Sequence, residues 1–187
     1  MSEALIKASY FQGTINALAV LGSKRAEAER LLQAEIAATK AASRADWLPM
    51  TFDFKLTAVV HDLGGKDAVV ALNRASFLAA TDGPLLRPIV QGALRVFGVS
   101  PRAFVKMVGN AWEAGTRNAG AMSASFEDDH SAIVVLNGLH AELRWYEGFI
   151  GLLEGVYEIT AHEGTATVTA HDGGATYEMR WRPRKGS

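Results

Sequence analysis

WYEGFIGLLEGVYEITAHEGTATVTAHDGGATYEMRWRP, residues 145–183, reads as an amphipathic helix followed by three short strands. Tyr157, Ile159 and Ala161 alternate with Glu158, Thr160 and His162. Ala166, Val168 and Ala170 alternate with Thr165, Thr167 and Thr169, and Tyr177, Met179 and Trp181 alternate with Thr176, Glu178 and Arg180. Alternation at every second residue marks strands with one buried and one wet face. Glu163-Gly164 and Asp172-Gly173-Gly174 carry the turn chemistry that joins antiparallel neighbours. The chain is therefore expected to end in a helix-backed antiparallel meander.

Working back from that ending, residues 121–127 alternate Met122, Ala124 and Phe126 against small polar residues, and residues 132–136 form a second strand-rich run. The middle of the chain reads as helical. Ser100-Pro101 supplies an N-cap and a first-turn proline for a helix to about residue 114. An apolar helix is expected over residues 85–97, after the turn Asp82-Gly83-Pro84, and another over residues 67–80. Phe52, Leu56, Val59, Val60 and Leu63 have helical spacing from Trp47 onward, with Gly64-Gly65 as the stop. Ser23 is a candidate cap for a helix over residues 24–41. A strand over residues 4–11, closed by Gly13, and a short helix capped by Thr14, running to Leu21 and ended by Gly22, complete the N-terminus. A short strand, a helical middle and a strand-rich final third indicate α+β, a helical layer on a mainly antiparallel sheet, with residues 1–187 as a single domain.

Composition narrows the chemistry. The net charge of -1 with dispersed basic residues argues against a nucleic-acid partner. The absence of cysteine excludes disulfides, thiol catalysis and thiolate metal sites. Residues 4–22 do not resemble a signal peptide, and no run approaches the ~18 apolar residues of a membrane span, so a cytoplasmic location is expected.

No catalytic constellation is legible, and no metal or cofactor is expected. His162 and His171 suggest a metal pair, but a turn at Glu163-Gly164 would set them several residues apart along a ladder. His130 lies in an acidic loop without the spacing of a calcium site. His61 suits a helix end, and His140 has no evident partner. Gly64-Gly65-Lys66 lacks phosphate-loop spacing. Glu113, Glu142 and Glu154 are acids near pocket-forming segments, without a positioned partner. Two features are more informative. Trp112, Arg117 and Asn118 sit where the helices meet the sheet, and could orient an anion or carbonyl at a pocket mouth; the competing reading is an edge arginine and an asparagine in a left-handed turn. Phe149, Ile150, Leu152, Leu153 and Val156 should mostly face the sheet.

The set Gly83-Pro84-Leu85-Leu86-Arg87, Gly98-Val99-Ser100-Pro101-Arg102, Arg117-Asn118, Phe149–Gly155 and Tyr177-Glu178-Met179-Arg180-Trp181 resembles a family of myxobacterial proteins carrying a domain of unknown function. More remotely, the ending is similar to the vinyl-reductase-type, TRAPP and haem–nitric-oxide-binding group of folds. That resemblance implies a late helix beside antiparallel strands and an apolar interior pocket. The phenol sensors' zinc-thiolate ligands have no counterpart, and the haem binders' tyrosine–serine–arginine triad is not recognisable.

The expected function is a non-enzymatic ligand-binding or sensory domain with an apolar pocket, in cytoplasmic signalling or regulation. The alternative is a protein-interaction module or homodimer, with Trp47, Trp112, Trp145, Tyr146 and Trp181 as candidate interface aromatics. Arg87, Trp112, Arg117, Asn118 and Trp145 are the candidate pocket or interface residues.

Overall fold

The computed structural model describes residues 2–81 and 100–184. The fold is α+β. A short strand β1 (Leu5–Lys7) leads into α1 (Ala8–Asn16), a 3-10 segment (Ala17–Lys24), α2 (Arg25–Leu31) and α3 (Gln33–Ala41). Then come β2 (Trp47–Pro49), the long α4 (Met50–Thr81), α5 (Pro101–Val105), α6 (Val108–Gly115) and β3 (Thr116–Arg117). The order closes with β4 (Ala121–Ser125), β5 (Ser131–Asn137), α7 (Leu143–Ile159), β6 (His162–His171) and β7 (Gly174–Pro183). The expected helix over 85–97 and Arg87 lie outside the described residues.

Among the described residues the strands form two antiparallel sheets, β2-β1-β3 and β4-β5-β7-β6. Two apolar clusters of the described residues fill the interior. One lies between the larger sheet and α7, with Trp112, Met122, Leu136, Trp145, Tyr146, Tyr177 and Met179. The other joins α1 to α4 through Phe11, Leu18, Leu32, Leu56, Val60 and Leu72. Helix α4 serves both, since Met50 and Phe54 pack toward the sheet cluster.

Helices α4 and α7 are closely apposed because α7 turns glycines toward α4. A Cβ on Gly151 would stand 2.0 Å from the Val70 carbonyl oxygen, and Gly148 and Gly155 face Asn73 and Phe77. Backbones approach this closely only where side chains are missing. Arg74 and Glu158 pair across the same junction.

Several expectations need correction. Strand β1 ends at Lys7, because Ala8, Phe11 and Thr14 bury one face of a helix. Thr14 caps nothing: its hydroxyl lies 3.3 Å from the Tyr10 carbonyl, one turn back. The helix over 24–41 is broken at Leu32, which leaves helical geometry to bury its side chain. Residues 47–49 form a strand before the helix begins. The stop read at Gly64-Gly65 is found: Gly65, at φ 74° and ψ -173°, interrupts the helical geometry, so α4 is two helical stretches meeting at a kink. The helix begun by Ser100, whose hydroxyl does accept from Ala103 N–H, breaks between α5 and α6.

The C-terminal meander has one strand fewer than expected. Tyr157 and Ile159 belong to α7, where burial of Tyr157 against Gly164 outweighs a short alternation. Glu163-Gly164 lies inside β6, and only Asp172-Gly173 turns the chain. His162 and His171 therefore stand at opposite ends of one strand, paired with Pro183 and Gly174.

Candidate functional site

An open hollow of about 460 Å³ lies where the start of α4 meets the segment entering α7. Phe54, Ala58, Ala141 and Trp145 give it an apolar floor. Lys55, His140, Glu142 and Arg144 stand around it. Positions 54, 55 and 58 share this side because residues three and four apart on a helix are neighbours.

Trp145 connects the hollow to the interior. Its ring packs edge-on against Phe54, Tyr146 and Phe149, at centroid distances of 5.2, 5.4 and 5.1 Å, and against Trp112 at 6.4 Å. Phe149 continues the contact to Tyr177. Edge-to-face packing at these distances adds to simple burial. The Trp145 indole N–H donates to Asp53 Oδ2 at 2.6 Å. Asp53 sits in the first turn of α4, where the helix dipole favours a carboxylate. Burial nevertheless dominates and raises its pKa to about 6, with the indole hydrogen bond opposing the shift. The carboxyl therefore changes charge near neutral pH while it holds a buried indole.

The cations of the hollow are balanced. Lys55 pairs with Glu35 at 2.8 Å, and Arg144 with Asp62 at 3.1 Å and with Glu142. His140 Nδ1 lies 3.7 Å from Asp172, at the β6–β7 turn, so the imidazole does have a carboxylate neighbour. The phenols of Tyr146 and Tyr177 donate to the backbone carbonyls of Leu139 and Tyr146. Burial pushes both phenols above their ordinary range.

The sequence candidates separate in space. Trp145 lines the hollow. Trp112 stands behind it in the aromatic core, its indole donating to the Ala119 carbonyl. Arg117 lies exposed on the smaller sheet, over the Trp47 ring at 4.2 Å. Asn118 adopts φ 52° and donates to the Glu3 carbonyl. Neither Arg117 nor Asn118 lines the hollow. Most of the proposed interface aromatics are core: Trp112, Trp145, Tyr146 and Trp181 are 8, 5, 1 and 5% exposed. Asp53, Lys55 and Arg144 carry no local signature of a site. Asp53 next to Phe52 and Phe54, on a helix already read as apolar, is the one signal that could have drawn attention.

No protein-family model matches the chain, and no curated protein does. Solved structures do match over nearly the full length. The Fe(II) unliganded H-NOX protein from K. algicida is 10% identical, with a TM-score of 0.69 over 97% of this chain and 100% of that one. A mutant H-NOX from T. tengcongensis is 10% identical, with a TM-score of 0.62 over 96 and 100%. An oxygen-binding H-NOX domain related to soluble guanylate cyclases is 11% identical, with a TM-score of 0.62 over 95 and 94%. At these identities the likeness is one of fold.

Proposed function

We propose that this chain is a non-enzymatic sensory domain that binds a small ligand in the hollow beside Trp145, in cytoplasmic signalling or regulation. Trp145 is the observation that carries the reading. One aromatic ring lines the hollow, packs into the core and holds a carboxyl of shifted pKa, so occupancy of the hollow bears directly on the interior. The fold supports a sensory role by likeness to H-NOX proteins. The myxobacterial resemblance, drawn from motifs spread along the chain, is part of the same proposal.

The lining selects the ligand class. A flat apolar or aromatic body suits Phe54, Ala58, Ala141 and Trp145, and a polar group on it would meet Lys55, His140, Glu142 and Arg144 at the rim. Haem, which the H-NOX fold implies, does not fit the residues present. All five histidines, at 61, 130, 140, 162 and 171, are partly or fully exposed, and there is no cysteine. The interior phenols of Tyr146, Tyr157 and Tyr177 are committed to backbone carbonyls. Rings in contact from Phe54 through Trp145 and Phe149 to Tyr177 occupy the core between α4 and the sheet.

Anilinonaphthalene sulfonate, an aromatic anion, tests the reading. It should bind the folded protein at one site and lose that site in Ala58→Trp, whose ring would fill the hollow. Equal binding by both proteins would contradict the assignment.

A further inference from the structure

The two edges of the larger sheet are treated differently. At one edge, β4 is short, and α6 lies against it so closely that a Cβ on Gly109 would stand 2.8 Å from the Met122 carbonyl oxygen. At the other, β6 runs ten residues, and among the described residues no strand lies beyond it. Edge strands are ordinarily guarded by lysine, proline, a bulge or shortness. The sequence of β6, HEGTATVTAH, has no lysine, arginine or proline. Its register with β7 is unbroken from His162 to His171.

The free groups of β6 follow from the turn. His171 and Gly174 flank a two-residue connection, which makes them a hydrogen-bonded pair. Alternation then directs the N–H and C=O of the odd-numbered residues toward β7, and those of Gly164, Ala166, Val168 and Ala170 toward the open edge. Thr165, Thr167 and Thr169 stand exposed on the outer face, while Ala166 and Val168 pack on the core.

We propose that β6 pairs antiparallel with β6 of a second copy, about a two-fold axis at Thr167. In this register Gly164 meets Ala170 and Ala166 meets Val168 through the free backbone groups. Thr167 meets itself, Thr165 meets Thr169, and the Glu163 carboxylate, already beside Arg182, meets the His171 imidazole at each end. Centring on Ala166 would leave Glu163 opposite Thr169 and His171 beyond the strand. Self-complementary placement of threonines and of an acid against an imidazole is what a second copy supplies. The inference stands apart from the ligand reading.

The cysteine-free chain makes the test clean. The wild type should sediment at twice its 20.0 kDa mass. Under mild oxidation Thr167→Cys should cross-link to itself, because facing residues of a non-hydrogen-bonded pair have Cα atoms about 4.5 Å apart, within disulfide reach. Thr165→Cys alone should not, as its two copies would lie about 13 Å apart. Mixing Thr165→Cys with Thr169→Cys should restore the bond. Thr167→Lys, placing like charges face to face, should weaken association about tenfold, with the wild-type melting curve once both proteins are dilute enough to be monomeric. A wild type monomeric at every concentration would overturn the proposal, as would equal cross-linking at 165 and 167 or a dimer indifferent to Thr167→Lys.

Discussion

Trp145 has two sides, and they differ in what they permit. Toward the interior it meets Phe54, Tyr146, Phe149 and Trp112 in ring-to-ring contact; toward the exterior it floors a hollow of about 460 Å³. The packed side contributes stability and cannot admit a ligand without rearrangement. The open side contributes little stability. Under the proposed function, one indole would couple the hollow to the core.

The largest effect should come from removing that shared residue. Trp145→Ala leaves a cavity among four aromatic rings and should cost about 4 kcal/mol, measured by urea unfolding. Loss of less than about 1 kcal/mol would mean the interior side is loosely packed. Gly151→Ala follows. Its Cβ would strike the Val70 carbonyl, forcing α4 and α7 apart at a cost of about 2 kcal/mol. Because both helices frame the hollow, the same variant should weaken binding of anilinonaphthalene sulfonate.

Asp53→Asn separates charge from hydrogen bonding. The folded pKa of about 6 lies above the ordinary 3.8, so the folded chain holds its proton more tightly. Stability contributed by this group is therefore fully present below pH about 4 and declines as pH rises through about 6. Asn keeps an acceptor for the indole and carries no charge. The variant should lack this decline and exceed the wild type by about 2 kcal/mol above pH 7, a figure reduced for partial solvent access. Parallel stability profiles for the two proteins would show that Asp53 is not the titrating group. Ala58→Trp should change stability least, by about 0.5 kcal/mol or less, while abolishing ligand binding.

The architecture was legible where local chemistry agreed with packing. Strands β4 and β7 alternate because one face lies on the core, β5 stands out as a strand-rich apolar run, and Ser100-Pro101 starts a helix by capping it. The reading failed where short patterns satisfied two periods. Residues 157–159 alternate like a strand, yet Tyr157 is buried against Gly164 as the last turn of α7. Ala8, Phe11 and Thr14 likewise belong to a helix whose period is visible only once its neighbours are known. Of the candidate site, Trp145 was singled out in the sequence as a large aromatic at a helix start. Asp53, Lys55 and Arg144 were not, because residues 54–58 and 140–145 are brought together by the α4–α7 packing and share no local motif.

Native mass spectrometry of the freshly purified wild type beside Ala58→Trp tests the central claim most directly. The account predicts an added small mass on the wild type that leaves on denaturation and is missing from the variant. The same adduct on both proteins, or a bare polypeptide that also fails to take up anilinonaphthalene sulfonate, would contradict it.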